Sequence, residues 1–226
     1  MKYDLVIYST ETLDSHPSVG LIFSDKLYVF NVPDQTQRVF FETKLRYIKL
    51  SHIFLTSLKA RSLGGFHGLT ITAFNSKNNV LNYSAMPGFQ SILDSYIHLH
   101  TSDKLRPELI ENYHDNNISV QNIYLSESVA YEVKLPDIPG KFQANKAKEL
   151  GLTPGPLFKT LSSGKSVTTP EGKKITPEMV LSPPTAGDII FFVDCQNLDD
   201  ISKLPLNCDK YDMVIHFTQL NLLFTP

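Results

Sequence analysis

Histidine, cysteine, serine and carboxylate side chains carry most protein chemistry, and few of them are grouped in this sequence. His98 and His100 form a His-x-His pair, but residues two apart on a helix point in different directions, so we interpret them as surface groups. The serines lack the Gly-x-Ser-x-Gly setting of a hydrolase nucleophile. No Walker loop, dinucleotide fingerprint or EF-hand is present. These residues therefore predict no catalytic site of those classes.

Residues 53–68 contain the most informative spacing of polar side chains. An apolar run that ends at Thr56, followed by a polar turn and a glycine-rich stretch, predicts a buried strand leading into a loop and a helix. The polar turn carries Ser57, Lys59, Arg61 and Ser62. Protonated lysine and arginine offer no lone pair to a metal ion, and their charge repels it. The spacing therefore predicts a loop that holds no metal.

This segment resembles the metal-binding motif of the metallo-β-lactamase fold. In that fold, a Phe-Leu-Thr-His strand end leads into His-x-His-x-Asp-His and then into a helix flanked by glycines. Phe54, Leu55 and Thr56 match before the motif, and Gly65 and Gly68 match after it. The four ligand positions are degenerate, because they carry the two serines, the lysine and the arginine named above. The resemblance implies an α/β (α+β) fold, an αββα sandwich, whose metal chemistry has been lost.

Residues 31–38 narrow the resemblance to one family of that fold. They are similar to the turn Asn/Asp-Cys-Gly-Glu-Gly-Thr-Gln-Arg that precedes the metal motif in tRNase Z, the endonuclease that trims the 3′ trailer from precursor tRNA. Thr36, Gln37 and Arg38 match, whereas the Cys-Gly-Glu-Gly part is replaced. The resemblance extends over roughly residues 31–216.

The charge of the chain is unevenly distributed. The net charge is −2, but residues 141–174 carry seven lysines against two glutamates, so this segment is +5 and the remainder is −7. A basic segment on an acidic body suggests a local contact with a polyanion. A solvated lysine-bearing loop is the alternative. The seven lysines are Lys141, Lys146, Lys148, Lys159, Lys165, Lys173 and Lys174.

The same region resembles the flexible arm, or exosite, of tRNase Z, which protrudes from the body and grips the tRNA elbow. The ordered matches are Gly140…Phe142, Ala147…Leu150-Gly151, Gly155-Pro156, Leu161…Gly164…Val167, Gly172…Ile175…Pro177…Val180 and Pro183-Pro184. The first proline of the family's turn stands one residue later here, as Pro154, and Thr153 occupies its usual place. The resemblance implies that tRNA is bound by Lys141, Lys146, Lys148, Gly155, Pro156, Lys159, Lys165 and Lys173. A vestigial arm is the alternative.

Two further residues stand where the family has functional groups. Asp194 ends an apolar strand, where the family has a bridging aspartate, but no histidine cluster is nearby in the sequence. We interpret it as a strand-end or capping carboxylate. His216 matches a family histidine, but Phe217 replaces the glutamate that would orient a proton donor, so we interpret His216 as a core histidine.

Hydrophobic patterns predict the elements that position these residues. Strands are predicted at 5–9, 19–23, 26–30, 80–83, 129–135, 188–193 and 213–215, and helices at 34–44, capped near Asp34, 65–75, 88–98 and 140–150. Residues 101–117 are predicted as a loop and 165–175 as a hairpin. The predicted domains are 1–135 as the first part of the body, 136–184 as the arm and 185–226 as the return to the body.

Composition indicates in which cellular compartment the protein is expected. Cys195 and Cys208 are the only cysteines, and with no secretory leader they predict reduced thiols in an intracellular protein. No apolar run is long enough for a membrane span, so no membrane partner is expected. Family resemblance adds the nucleus and the mitochondrion as locations.

Long-form tRNase Z resembles a tandem duplication in which the amino-terminal half keeps the fold and the arm but not the ligands. The sequence is similar to that half, so it is expected to be inactive alone and to contain no cofactor. Its expected partners are precursor tRNA and a catalytic carboxy-terminal half that holds zinc, and the chain is expected to be a fragment or a separately expressed half. The alternative is a stand-alone structural or interaction module without an RNA role.

Overall fold

The computed structural model describes residues 2–12, 15–76, 81–97, 107–152, 155–164, 166–168, 174–205 and 207–219. Residues up to Leu135 and from Asp188 onward form a first compact unit, and Pro136–Gly187 forms a second. The second unit ends three residues after the predicted segment 136–184. None of the helices in the described ranges has the length and apolar character needed to cross a membrane.

A six-stranded mixed sheet forms the centre of the first unit. Its strands lie in the order of the sequence, antiparallel from β1 to β3 and parallel from β3 to β6. They are β1 Asp4–Ser9, β2 Ser18–Ile22, β3 Leu27–Phe30, β4 Leu50–Phe54, β5 Asn82–Ser84 and β6 Glu108–Leu109. The helices between them are α1 Thr36–Glu42, α2 Ala60–Leu63, α3 Phe66–Asn75 and α4 Phe89–Ile97, with a 3-10 helix at Tyr47–Lys49.

A second sheet of four strands has the order β12, β11, β8, β7. Its strands are β7 Ser119–Tyr124, β8 Val129–Lys134, β11 Ile189–Val193 and β12 Met213–His216. Strand β11 is antiparallel to β8 and parallel to β12. Two 3-10 helices, Leu198–Lys203 and Cys208–Lys210, lie between β11 and β12.

The alternation of side chains along β3 explains how these layers pack. Successive side chains of a strand point to opposite faces of its sheet. Tyr28 and Phe30 therefore enter the core between the two sheets, where the Phe30 ring stacks on Phe192 of β11 with 3.6 Å between the ring centroids. Leu27 and Val29 face the helices and pack with residues of α1, α3 and α4. At β3, the first sheet is thus buried on both faces.

The outer face of the second sheet is covered in a different way. In the described part of the chain, its apolar side chains contact Leu204 and Tyr211, which follow the two 3-10 helices, instead of an α-helix. Phe191 and Tyr211 stack with 4.8 Å between the ring centroids. The predicted mixed α/β class and the pair of packed sheets are confirmed. The second helical layer of the predicted αββα sandwich is not seen in the described ranges.

The second unit has a small apolar core of its own. It contains α5 Ala144–Glu149, α6 Pro156–Ser162, α7 Pro177–Val180 and the two-stranded ribbon of β9 Val167–Thr168 and β10 Lys174–Ile175. Ala147, Leu161 and Ile175 are fully buried in this core. Gly151 and Gly164 follow α5 and α6 with φ angles of +86° and +81°, the left-handed conformation that glycine adopts without strain at a helix end.

The first and last segments of the second unit pair with each other. Ile138 and Thr185 exchange two backbone hydrogen bonds, and the Phe142–Leu181 pair forms a second antiparallel bridge. Gly140 lies between them, where a Cβ atom would be 1.6 Å from the carbonyl oxygen of Ser182. Glycine is therefore required by the close approach of the two backbones.

Most predicted elements are present, with shifted ends. The first predicted helix starts at Thr36. Its N-cap is Gln35, the neighbour of Asp34, which has a φ angle of +74° and makes no capping hydrogen bond with its side chain. The loop predicted at 101–117 contains β6, and the sequence patterns missed β7 completely. Helix α5 starts four residues after Gly140. The tip of the predicted hairpin and the His98–His100 pair lie outside the described residues.

Candidate functional site

The degenerate motif begins where β4 ends. The C-terminal ends of the parallel strands β3 and β4 lie at the same edge of the first sheet, which places Asn31 beside Thr56. The Asn31 side chain donates to the Thr56 hydroxyl at 2.9 Å and accepts from the Thr56 backbone N–H at 2.8 Å. Asn31 holds a φ angle of +60°, which asparagine tolerates better than most residues. This pair fixes the orientation of the Thr56 hydroxyl.

Thr56 connects the two sheets through Asp194, the residue after β11. Its hydroxyl donates to the Asp194 carboxylate at 2.7 Å. Asp194 is completely buried, and the side-chain amide of Gln196 donates to its other oxygen. Asp194 directly follows β11, where a strand-end carboxylate was expected, and it also lies at the centre of a buried polar network.

The two serines of the degenerate motif bond to each other. Ser57 and Ser62 are completely buried, and their hydroxyl oxygens are 2.8 Å apart. The Ser62 hydroxyl also lies 3.4 Å from the Thr56 hydroxyl. Because each hydroxyl both donates and accepts, the cluster satisfies its own hydrogen bonds in the interior.

Lys59 lies at the rim of this network. Its ammonium group donates to the Gln196 side-chain oxygen at 2.8 Å and lies 3.3 Å from the Glu127 carboxylate. The Lys59 side chain is 50% exposed, so the ion pair with Glu127 is screened by water and contributes little stability. Through Gln196, however, the lysine is linked to the buried carboxylate of Asp194.

Arg61 is the buried cation of the motif. Its side chain is only 7% exposed, and its Nη2 atom donates to the backbone oxygen of Phe217 at 2.7 Å and lies 3.3 Å from the Glu11 carboxylate. Among the described residues, its buried Nη1 atom has no hydrogen-bond partner. The side chain thus ties α2 to the chain beyond β12.

The electrostatics of Asp194 follow from these neighbours. Burial raises the pKa of the Asp194 carboxyl, because a low-dielectric interior disfavours the charged form. The hydrogen bond from Thr56 and the positive charges of Arg61 and Lys59 offset part of that increase. Two protein cations therefore provide the compensating charge for this buried acid.

These residues do not fit zinc. Zinc sites in proteins use thiolate, imidazole and carboxylate ligands, and the four motif positions supply two hydroxyls and two cations instead. In the ranges that the structure describes, no group of three histidine, cysteine or acidic residues is arranged to hold a metal ion. The arrangement can stabilise the junction of the sheets, but it cannot activate a water molecule through a metal.

His216 lies on the exposed surface of β12, an edge strand of the second sheet. The interpretation as a core histidine is therefore wrong. The next residue, Phe217, is buried instead and supplies the backbone oxygen that Arg61 binds. Alternation along the strand places one of these two neighbours inside, but no local pattern indicates which one.

The predicted tRNA-binding residues lie in the second unit. Lys141, Lys146, Lys148 and Lys159 are exposed there, and Lys146 and Lys148 flank the buried Ala147 on α5. Gly155 is the N-cap of α6 and Pro156 its first residue, a position that proline favours. Lys165 and Lys173 lie outside the described residues.

Sequence reasoning missed two residues of the buried network, Asn31 and Gln196. Asn31 stands at the end of an apolar strand, before Val32-Pro33, which was a usable signal for a polar strand-end contact. Gln196 carried no signal: Asp194 lies two residues before it, but its other partner, Lys59, is 137 residues away and meets it only in the folded chain.

Comparisons with known proteins find similarity to tRNase Z proteins. A family model described as tRNase Z endonuclease matches residues 6–65. The mitochondrial tRNase Z TRZ3 of Arabidopsis thaliana is 29% identical over 223 residues, which cover 86% of this chain and 25% of that protein. Ribonuclease Z of Trichodesmium erythraeum is 31% identical over 198 residues, which cover 81% of this chain and 61% of that protein.

A solved structure agrees at the level of the fold. The crystal structure of a long form RNase Z from yeast matches 96% of this chain and 32% of its own chain, with a TM-score of 0.66 and 13% sequence identity. This chain therefore spans about a third of that yeast protein and a quarter of the plant relative.

Proposed function

The chain belongs to the tRNase Z family of metallo-β-lactamase-fold proteins, and from that premise we propose that it is a non-catalytic half of a tRNA 3′-processing endoribonuclease. In this proposal it binds precursor tRNA, and a partner half of the same polypeptide or complex carries the zinc and cleaves the trailer. The part of the proposal that concerns catalysis is supported best by one observation. The buried carboxylate of Asp194 is bound by Thr56 and Gln196 and compensated by Arg61 and Lys59, in a site whose donors do not suit zinc.

The part of the proposal that concerns RNA is supported by the lysines of the second unit. Lys141, Lys146, Lys148 and Lys159 are exposed on a small domain with its own core. Lysines bind phosphates as point charges, and the counterions they release provide affinity without reading the base sequence. A backbone interaction of this kind suits a module that must accept many different precursor tRNAs.

The experiment compares two triple variants of equal charge change in the full chain. One replaces Lys146, Lys148 and Lys159 with alanine, and the control replaces Lys2, Lys44 and Lys134, three exposed lysines of the first unit. Gel-shift titrations with a precursor tRNA are run at several salt concentrations. We expect only the first variant to bind more weakly, with the slope of log K against log salt reduced by about 1 for each phosphate that the protein no longer neutralises.

An unchanged slope in the first variant, or equal losses of affinity in both, would contradict tRNA binding by the second unit. The catalytic part is tested separately by incubating the purified chain with precursor tRNA, alone and with a zinc-bearing partner half. We expect trailer cleavage only in the mixture.

A stand-alone structural or interaction module without an RNA role is the second candidate. Loss of the metal-ligand positions is equally expected of a protein that has left RNA processing altogether. Affinity purification separates the two proposals, because recovery of a catalytic tRNase Z half supports the first and its consistent absence supports the second.

We also propose that the protein acts inside the cell, in the nucleus, the mitochondrion or both. Two plant relatives are named as mitochondrial proteins. Imaging of the tagged full-length product of the gene, with organelle markers, tests this assignment.

A further inference from the structure

A cleft of about 590 Å³ opens on the first unit between α1 and the start of α3. Its volume lies within the usual range for small-molecule sites, about 300–1,000 Å³. Its walls belong neither to the buried network around Asp194 nor to the lysines of the second unit. We propose that this cleft binds one unpaired nucleotide of an RNA, with the base stacked on Phe41. The proposal rests on the proposed function for the source of that nucleotide.

Helix α1 brings three suitable side chains to the cleft. Gln37 and Arg38 lie four and three residues before Phe41, so each is a neighbour of Phe41 on the helix surface, and all three line the cleft. Phe41 is 80% exposed, whereas its neighbour Phe40 is fully buried in the core. Helical side chains lean toward the N-terminus, which places the Phe41 ring over the turn that carries the other two. An aromatic ring exposed to this extent beside a cleft offers a platform on which a base can stack.

Polar groups of fixed orientation surround this platform. The Gln37 side-chain amide donates to Thr72 at 2.6 Å, and the Tyr47 hydroxyl donates to the Gln37 backbone oxygen at 3.0 Å. Tyr47 is itself held by its ring contact with Phe40, at 5.3 Å between centroids. The site is therefore supported by residues of the core, which a binding cleft needs in order to hold a flat ligand in one orientation.

Charge at the cleft suits a nucleotide more than a purely apolar ligand. Arg38 pairs with Glu42 through its Nε atom at 2.7 Å, an interaction that uses one of the five N–H donors of the guanidinium. The remaining donors match the oxygens of a phosphate. The Asp34 carboxylate also lines the cleft and can accept a hydrogen bond from an exocyclic amino group, as acidic side chains do with cytosine. Cytosine and adenine nucleotides should therefore bind better than uridine nucleotides.

A glycine keeps the cleft open. A Cβ atom at Gly68 would meet only the end of the Gln37 side chain, at 2.8 Å, so a larger residue there would extend into the cleft. Gly68 is a residue of α3 without a positive φ angle, and a leucine in its place suits the helix. The substitution Gly68→Leu therefore fills the site without working against the local backbone.

The test uses the absence of tryptophan from the sequence. The variant Phe41→Trp keeps a stacking ring and adds a single fluorophore at the cleft. Tyr124→Trp, at an exposed aromatic residue of β7, is the matched control. Each protein is titrated with cytidine 5′-monophosphate, adenosine 5′-monophosphate, uridine 5′-monophosphate and ribose 5-phosphate, and tryptophan emission is recorded.

We expect saturable quenching of Phe41→Trp by the cytidine and adenosine nucleotides, weaker quenching by the uridine nucleotide and none by ribose 5-phosphate. Quenching should disappear when Gly68→Leu is added and should not occur in Tyr124→Trp. In the otherwise unchanged chain, Phe41→Ala should weaken binding of a short single-stranded RNA by about 5- to 150-fold, the range for one stacked base.

Absence of quenching in Phe41→Trp, quenching that survives Gly68→Leu, or equal quenching by ribose 5-phosphate would overturn the proposal. The measurement needs no tRNA, so its outcome is independent of the lysine variants. Nucleotide binding without tRNA binding would refute the proposed function and retain the cleft, and the reverse result would refute only the cleft.

Discussion

The hydroxyl of Thr56 donates a 2.7 Å hydrogen bond to the carboxylate of Asp194, and these residues lie 138 positions apart in the chain. The bond joins the end of β4 in the first sheet to the end of β11 in the second. Both residues are completely buried. A charged or partly charged group in such a position is costly unless its hydrogen bonds are satisfied, so the site has a structural role even without catalysis.

The first prediction concerns this bond. Thr56→Val keeps the shape of the side chain but removes the Thr56 donor from the Asp194 carboxylate, so we expect a decrease of about 1–3 kcal/mol in the free energy of unfolding. Urea unfolding, with an unchanged m value, measures it. Thr43→Val is the control, because the Thr43 hydroxyl is exposed and bonds only within its own helix end. Equal effects of both substitutions would refute the structural role.

The second prediction concerns zinc. A ligand that binds only the folded state raises the melting temperature, and the four motif positions offer zinc no suitable ligands. An excess of zinc should therefore leave the melting temperature of the chain unchanged in a thermal shift assay. Stoichiometric zinc in the dialysed protein, removed by Asp194→Asn, would show that the site still holds metal.

The third prediction concerns pH and His52, a fully buried residue of β4 whose ring lies between Phe54 and Tyr113. Burial lowers its pKa from 6.5 to about 3. Below pH 6.5 the unfolded chain thus binds a proton that the folded chain does not. The free energy of unfolding should fall with acidification from pH 6.5 toward pH 3, with a slope of at most about 1.4 kcal/mol per pH unit.

A carboxylate extends that dependence to lower pH. Asp115 accepts hydrogen bonds from Lys26 and Tyr28, and its pKa is lowered from 3.8 to about 2. Its contribution to stability is present above pH 3.8 and disappears as the pH falls toward 2. In His52→Gln the slope between pH 6.5 and pH 4 should flatten, while the decrease below pH 3.8 should remain. If His52→Gln kept the full slope between pH 6.5 and pH 4, other titratable groups would be responsible for that pH dependence.

The fourth prediction concerns Gly140 in the second unit. A Cβ atom there would overlap the carbonyl oxygen of Ser182, so Gly140→Ala must separate two paired backbones, at a cost of about 1–3 kcal/mol. Hydrogen exchange of the Ser182 amide, which donates to the backbone oxygen of Lys141, should become faster. Gly151→Asn is the control, because nothing lies near its Cβ position and asparagine tolerates a positive φ angle. Similar exchange in both variants would contradict the close approach.

Sequence patterns were sufficient where the information is local. The apolar runs of β2, β3 and β4 and the glycines that end α5 and α6 follow from backbone preference and side-chain alternation, which act over a few residues. The absence of metal ligands from the motif was equally evident in the sequence, because protonated lysine and arginine have no lone pair to donate to a metal ion. The two-residue strand β6, in contrast, is too short to carry a pattern and exists only because β5 offers it a partner.

The amino-acid sequence alone thus established the class of the fold and the absence of metal ligands from the degenerate motif. The folded chain was needed to show that Asp194, Arg61 and Lys59 form one network and that Gln37 and Phe41 face a cleft. A buried charge is compensated by groups that are close in space, whatever their separation along the chain. Here Asp194 follows β11, whereas Lys59 and Arg61 lie at the start of α2, beyond the end of β4, so these groups meet only when the two sheets pack and no local spacing can reveal them.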